Sequence, residues 1–335
     1  MNLPPFKLER YFAKYEFNTE FLMCSSDCEA MPIADLLAME SGSAEKFQQT
    51  WLGYTESLGH PALRKEIAKI YESIQPEEIL VHSGAEEAIF LFMLAALKEN
   101  DHVIVHAPHY QSLSEVARGM GCMVSPWRAR EENNWSLDLD ELRHLMRSTT
   151  KAIILNTPHN PTGYLMSKSD FEAVNKFARE NNLLLFCDEV YRESEYDPSL
   201  RLPAGADLGD HAVSLGVTSK TYGLAGLRIG WIATKNKTIY EKMAGLKDYT
   251  TICNSAPSEF LAEVALRNRQ KLIARNVGII KSNLEIVDDL FARHSNLFEW
   301  VRPTAGSMGF PKLLKGNTED FCDDLLRHPV AGIGN

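Results

Sequence analysis

Lys220 and Arg228 stand eight positions apart in Ser219-Lys220-Thr221-Tyr222-Gly223-Leu224-Ala225-Gly226-Leu227-Arg228-Ile229-Gly230-Trp231. Three glycines interrupt the run, which is not the pattern of a helix surface. Glycine permits tight turns and close approach of backbone to a ligand. Lys220 lies just beyond the apolar run 213–216, and open parallel sheets bind ligands at the ends of their strands. A lysine so placed suits Schiff-base chemistry. Arginine suits a phosphate, because its planar fork bonds oxygens bidentately. On these residues alone, a solvated pair on a surface loop stays open.

Three further groups stand in similar positions. Asn156-Thr157-Pro158-His159-Asn160-Pro161-Thr162-Gly163 follows another apolar run. Its prolines would fix a loop that aims Asn160 at a ligand's ring oxygen, or they simply end a strand in a turn. Asp188-Glu189-Val190-Tyr191 closes the run 183–187. Burying a carboxylate there is costly unless it is paired. A buried Asp188 would hold a pyridinium nitrogen protonated; a solvated strand end is the plain alternative. Ser83-Gly84-Ala85-Glu86 joins a strand to a helix. Free N–H groups and the helix dipole bind phosphate at such a start, unless Ser83 merely caps the helix.

The elements that must position these groups read as alternating strands and helices. Strands are predicted over 78–82, 102–106, 152–156, 183–187, 213–216 and 228–234. Most are continuous apolar runs, as strands buried on both faces are. Helices are predicted over 86–98, apolar on nearly every side, and 169–180, with Ser167 and Asp170 as a capping box. The order implies an α/β domain with a mostly parallel sheet. We expect a large domain over 41–270 and a smaller α+β domain built from 1–40 and 271–335. In the first segment, Asp27 lies in Cys24-Ser25-Ser26-Asp27-Cys28. It either contributes to a pocket or caps a helix over 31–40.

Together the four groups resemble the fold type I enzymes that use pyridoxal 5'-phosphate (PLP), in particular the class I/II aminotransferase family. The resemblance covers about residues 45–312. It implies that Lys220 forms the Schiff base and shuttles protons, and that Asp188 pairs with the pyridine nitrogen. Asn160 and Tyr191 would hydrogen-bond the phenolic oxygen. Tyr110, in Ala107-Pro108-His109-Tyr110, would stack on the ring, where ordinary core packing is its alternative. The backbone of Gly84, Ala85 and Glu86, with Ser219 and Arg228, would hold the phosphate. Tyr54, five residues before Gly59, would reach the phosphate of a partner subunit, which implies a homodimer with shared sites. The expected substrates are an amino acid and a keto acid. Residues 216–231, 247–250 and 158–161 further resemble capreomycidine synthase, which cyclises a hydroxylated arginine. Cyclisation, elimination, oxidation or impaired cofactor binding therefore stand beside transamination.

Two departures from the family pattern qualify this. Val217 stands where a phosphate-binding Ser or Thr is common, so Ser219 would compensate. Family members also continue into a further strand and an Arg that clamps the substrate carboxylate. Here Arg327 is followed by His328-Pro329-Val330-Ala331-Gly332-Ile333-Gly334-Asn335, a short tail without that Arg, and Arg327 itself comes too early. A shortened or truncated C-terminus is the expectation.

Composition agrees with an enzyme of this kind. The chain has 335 residues, 44% hydrophobic and 24% charged, with a net charge of -10, so it can bury a sizeable core. The acidic balance argues against a nucleic-acid partner, and no apolar run is long enough to span a membrane. The first ten residues lack a secretory pattern, so a cytoplasmic setting with six free cysteines is expected. No cysteine spacing suits a metal.

Overall fold

The structure is a computed structural model and describes residues 1–327. Seven strands form one sheet: β1 (Ile79–His82), β2 (His102–Ala107), β3 (Met123–Arg128), β4 (Thr150–Asn156), β5 (Leu184–Asp188), β6 (Ala212–Val217) and β7 (Gly230–Ala233). Their order is β1-β7-β6-β5-β4-β2-β3. Neighbours from β6 across to β3 pair in parallel. Only β7 runs the other way, antiparallel to both β6 and β1. Two short strands, β8 (Phe298–Glu299) and β9 (Lys312–Leu313), pair apart from this sheet. This is the α/β fold with a mostly parallel sheet that the alternation implied. Among the described residues, no helix is long and apolar enough to cross a membrane.

Alternate residues of the central strands feed two different cores. Val103, Val105, Ile154, Phe186 and Leu215 pack with Phe92 and Met93 of the helix Gly84–Ala96. Ile104, Ile153, Leu155 and Leu185 pack on the other face with Phe171 and Val174 of the helix Lys168–Glu180. Burying each such side chain contributes roughly 1.5–3 kcal/mol. The helix Gly84–Ala96 is covered on its far side by Ile239 and Met243, which explains its all-round apolar sequence.

Several boundaries differ from expectation for physical reasons. β3 escaped the sequence pattern because it alternates buried and half-exposed residues and contains Pro126. It lies at the sheet's edge, where a missing N–H is tolerated. Arg228 is not in β7: its φ is +53°, a left-handed turn that ends before the strand. Ser167 does cap its helix, accepting from the Asp170 N–H at 3.1 Å. The Asp170 carboxylate, however, accepts the Ser167 hydroxyl proton at 2.7 Å, not the backbone N–H of a capping box. Arg327 ends an exposed helix, Thr318–Arg327, near Asp323 and Asp324. The expected tail from His328 to Asn335 lies outside the described residues.

Topology gathers the chemistry at one edge. The segments after β1, β2, β4, β5 and β6 leave the sheet on the same side, because those strands are parallel. β7 is antiparallel, so its beginning, just after Arg228, lies there too. His82 and Val217 both stand opposite Gly230 in register.

Candidate active site

A cavity of about 360 Å³ opens at this edge, within the size range of small-molecule sites. Lys220, Asp188, Tyr191, Asn160, Tyr110, Ala85, Glu86, Ser219 and Arg228 all line it. Nine of the expected residues thus meet in one place.

Lys220 follows β6 by three residues, and its Nζ donates to Asp27 Oδ1 at 2.6 Å and to Ser26 Oγ at 2.8 Å. Asp188 is the last residue of β5 and is fully buried in the sheet edge. Burial pushes its carboxyl up to about 7, against a hydrogen bond from the Val190 N–H and the nearby Lys220 charge. Neighbouring Tyr191 is also buried, and burial raises its phenol well above the usual value. Its oxygen accepts from Asn160 Nδ2 at 3.4 Å. Asn160, Tyr191 and Asp188 therefore present hydrogen-bonding groups from two adjacent parallel strands, β4 and β5.

The Asn160 loop is braced from behind. Asn156 Oδ1 accepts the Asn160 N–H at 2.6 Å, and Asn156 Nδ2 donates to the Asp188 carbonyl at 3.0 Å. His159 Nε2 lies 2.7 Å from the Pro108 carbonyl, which can only accept. Its Nδ1 therefore accepts from the Thr162 hydroxyl, also at 2.7 Å. Burial lowers His159 to about 3, so this neutral tautomer persists at neutral pH. His106 stacks on it with ring centroids 3.7 Å apart.

The opposite end of the cavity suits a phosphate. The helix Gly84–Ala96 begins there, and Ser83 makes no side-chain cap; the capping alternative fails. Gly84 sits at φ +82°, and a Cβ on it would come within 2.5 Å of Arg228 Nη2. The guanidinium is thus laid directly over the helix start. A Cβ on Gly230 would meet the Gly84 carbonyl carbon at 2.7 Å and the Ala85 nitrogen at 2.9 Å. Ser219 is buried, and its Oγ has no hydrogen-bond partner. An orphaned hydroxyl, uncapped amides and a guanidinium are a donor set for an anion. With Lys220 and Asp188 at the other end, these residues fit PLP. Val217 lines the cavity as an apolar wall, so Ser219 is the hydroxyl present.

Gly230→Ala is therefore expected to push the helix start away and weaken PLP binding roughly 10–100-fold. Gly226→Ala, which meets nothing within 4 Å, should leave binding within about twofold. A spectroscopic PLP titration compares the two.

The structure also places Tyr54 and decides between the two readings of Asp27. Tyr54, expected at the phosphate of a partner subunit, is 90% exposed in this chain and does not line its own cavity. Asp27 does not cap a helix: Pro32 occupies the N-cap of Ile33–Ala38, while Asp27 pairs with Lys220. Sequence reasoning missed Asn156, and Leu8, Glu9, Phe12 and Glu16 from the chain's start, which wall the cavity. Glu9 accepts from the Tyr110 hydroxyl at 3.1 Å. Asn156 had a signal, a polar residue closing a buried apolar strand. The N-terminal helix, Lys7–Tyr15, had none, because only the tertiary fold brings it over the sheet edge.

Comparison with known proteins agrees with this geometry. Capreomycidine synthase of Streptomyces vinaceus is 28% identical over 99% of this chain and 86% of its own length. An aspartate aminotransferase of Sulfurisphaera tokodaii is 30% identical over 68% of this chain. The chain spans 58% of that relative's length. The crystal structure of a PLP-dependent aminotransferase from Streptococcus suis superposes with a TM-score of 0.91 at 32% identity, covering 98% of this chain and 87% of that one. The family model for class I and II aminotransferases matches residues 22–330. The chain belongs to the class I and II aminotransferase family, whose cofactor is PLP.

Proposed function

We propose that this chain is an aminotransferase that moves the amino group of an amino acid to a keto acid, with PLP held on Lys220. The observation that carries the reading is the convergence on one cavity of Lys220, Asp188, the Asn160–Tyr191 pair and the Gly84–Arg228 cradle.

Bound PLP supplies an electron sink that lets the substrate's α C–H bond break. The chain supplies the rest. Gly84, Ala85 and Glu86 offer backbone N–H groups, and Ser219 and Arg228 complete the phosphate site. Asp188 holds a proton on the ring nitrogen; beside that cation its carboxylate stays ionised despite burial. Asn160 and Tyr191 donate to the phenolic oxygen. Tyr110 would cover one ring face and keep water from it. Lys220 Nζ removes the α-proton, since a general base must lie within hydrogen-bond reach.

Tyr54 of a second copy would complete the phosphate site, so the working form is a homodimer. Trp51, Leu52, Tyr54 and Tyr249 are each more than four-fifths exposed. Large apolar side chains left open in this way suit burial against a second subunit. The reactants are small molecules, an amino acid and a keto acid.

A second reading is cyclisation of a cationic amino acid. Glu9, Glu16 and Asp27 line the cavity, where they would attract a positive side chain, and the capreomycidine synthase likeness agrees. A panel of amino acids, assayed with and without a keto acid, separates the two. Turnover that requires the keto acid supports transamination. Turnover of a basic amino acid without an acceptor supports cyclisation. No change in the bound cofactor with any amino acid contradicts both.

A further inference from the structure

Residues 25–28 are built against Lys220. The Ser26 carbonyl accepts from the Ser307 hydroxyl at 2.7 Å and from Tyr191 at 3.5 Å. Arg275 Nη1 grips the Glu29 carbonyl at 2.7 Å. Gly223 leaves room for this segment, because a Cβ there would come within 2.8 Å of the Glu29 carbonyl oxygen. Three separate parts of the fold thus fix the segment. They aim Asp27 Oδ1 at Lys220 Nζ from 2.6 Å.

We propose that Asp27 is the proton-holding partner of Lys220: it stabilises the ammonium formed when Lys220 Nζ takes the substrate's α-proton. The proposal rests on the function argued above. In that step the α C–H bond breaks, an N–H bond forms at Nζ, and the electron pair stays with the carbon. A positive charge appears at Nζ, and a carboxylate within 4–6 Å favours it. The same proton then leaves Nζ for the carbon that receives it, so Asp27 ends as it began.

Other charged groups around Nζ do not fill this role. Asp188 comes from the end of β5 and would hold the ring nitrogen in the function proposed above. Arg228, ahead of β7, belongs to the phosphate. Cys28 follows Asp27, and burial pushes its thiol up to about 11, so it is neutral near pH 7. Tyr191 is likewise held neutral by burial. Glu9, Glu16 and Glu86 line the cavity, but no hydrogen bond or ion pair joins them to Nζ. Asp27 is the carboxylate in direct contact, and it is partly exposed, so Asp27→Asn removes charge without emptying a core.

The test follows the absorbance of the PLP-loaded chain across pH, in the wild type, Asp27→Asn and Asp27→Glu. Removing the negative charge destabilises a proton held at the Lys220 nitrogen. The titration midpoint should therefore fall by about one pH unit in Asp27→Asn, and Asp27→Glu should restore at least half. Conversion of the bound cofactor by saturating amino acid should slow about tenfold in Asp27→Asn. A midpoint unmoved in Asp27→Asn overturns the proposal, as does a change confined to the KM for the amino acid, which would make Asp27 a substrate contact. An absorbance band that Lys220→Ala leaves unchanged would instead sink the function proposed above, and this proposal with it.

Discussion

Lys220→Ala is expected to bind PLP without a covalent bond and to lose amino-group transfer by roughly 10⁴-fold or more. Two losses combine. The anchoring Schiff base disappears, and so does the nitrogen that removes the α-proton. Alanine leaves Asp27 without its cationic partner, but Asp27 is partly exposed, so solvent takes up that charge. The fold should therefore survive, and a melting curve near that of the wild type confirms a fair comparison. Affinity should fall less than turnover, because Gly84, Ser219 and Arg228 still hold the phosphate end. Exogenous amines should restore part of the rate. Retention of more than about a tenth of wild-type turnover would mean that another group moves the proton.

Asp188→Asn is expected to act in opposite directions with and without cofactor. Without PLP, burial holds the Asp188 carboxyl at about 7, against 3.8 in an exposed chain. The folded state then keeps a proton that the unfolded state releases. Below about pH 4 both states are protonated and the residue costs nothing. Stability is lost as pH rises from there to about 7, and the loss is constant above that. Three units correspond to a penalty on the order of 4 kcal/mol at pH 8. Asparagine has no such titration and can still accept from the Val190 N–H. The cofactor-free variant should therefore melt higher than wild type at pH 8, with the gap closing toward pH 4. With PLP bound, a ring cation facing asparagine loses its buried partner, which costs about 3–5 kcal/mol. Amino-group transfer should fall roughly 10²–10³-fold. Melting curves across pH, with and without PLP, read both signs. A variant less stable than wild type in the cofactor-free form at pH 8 would contradict the burial argument.

Much of this site was legible in the sequence because of where parallel strands place their ends. Asn160, Asp188, Lys220 and the Gly84 turn each follow a continuous apolar run, and such runs mark strands buried on both faces. Once the strands are parallel, those ends converge without any knowledge of the loops. Arg228 was legible for a different reason: the glycines around it permit a close backbone approach, and the other three groups tipped the reading away from a surface loop. Residues brought by tertiary packing were not legible. Glu9 and Phe12 lie on a short amphipathic helix whose pattern says only that one face is covered, not that it covers an active site. Asp27 was only half legible: a pocket role and a helix cap read equally well, because its partner Lys220 is 193 residues away. β3 was hidden by Pro126 and by its edge position. Tyr54 lies exposed in this chain, and the role proposed for it belongs to the surface of a second copy.

Borohydride reduction of the PLP-loaded chain, followed by mass mapping of its peptides, tests the assignment of Lys220 most directly. Reduction converts a Schiff base into a stable amine, so the modified lysine can be read from its peptide. The expected result is one phosphopyridoxyl group per chain, on the peptide containing Lys220, and none in Lys220→Ala. Lys247 provides an internal contrast: it is 1% exposed and spends its ammonium on Ser57 and Asn254, so it should stay unmodified. Labelling spread over surface lysines, or the absence of any label, would contradict the assignment.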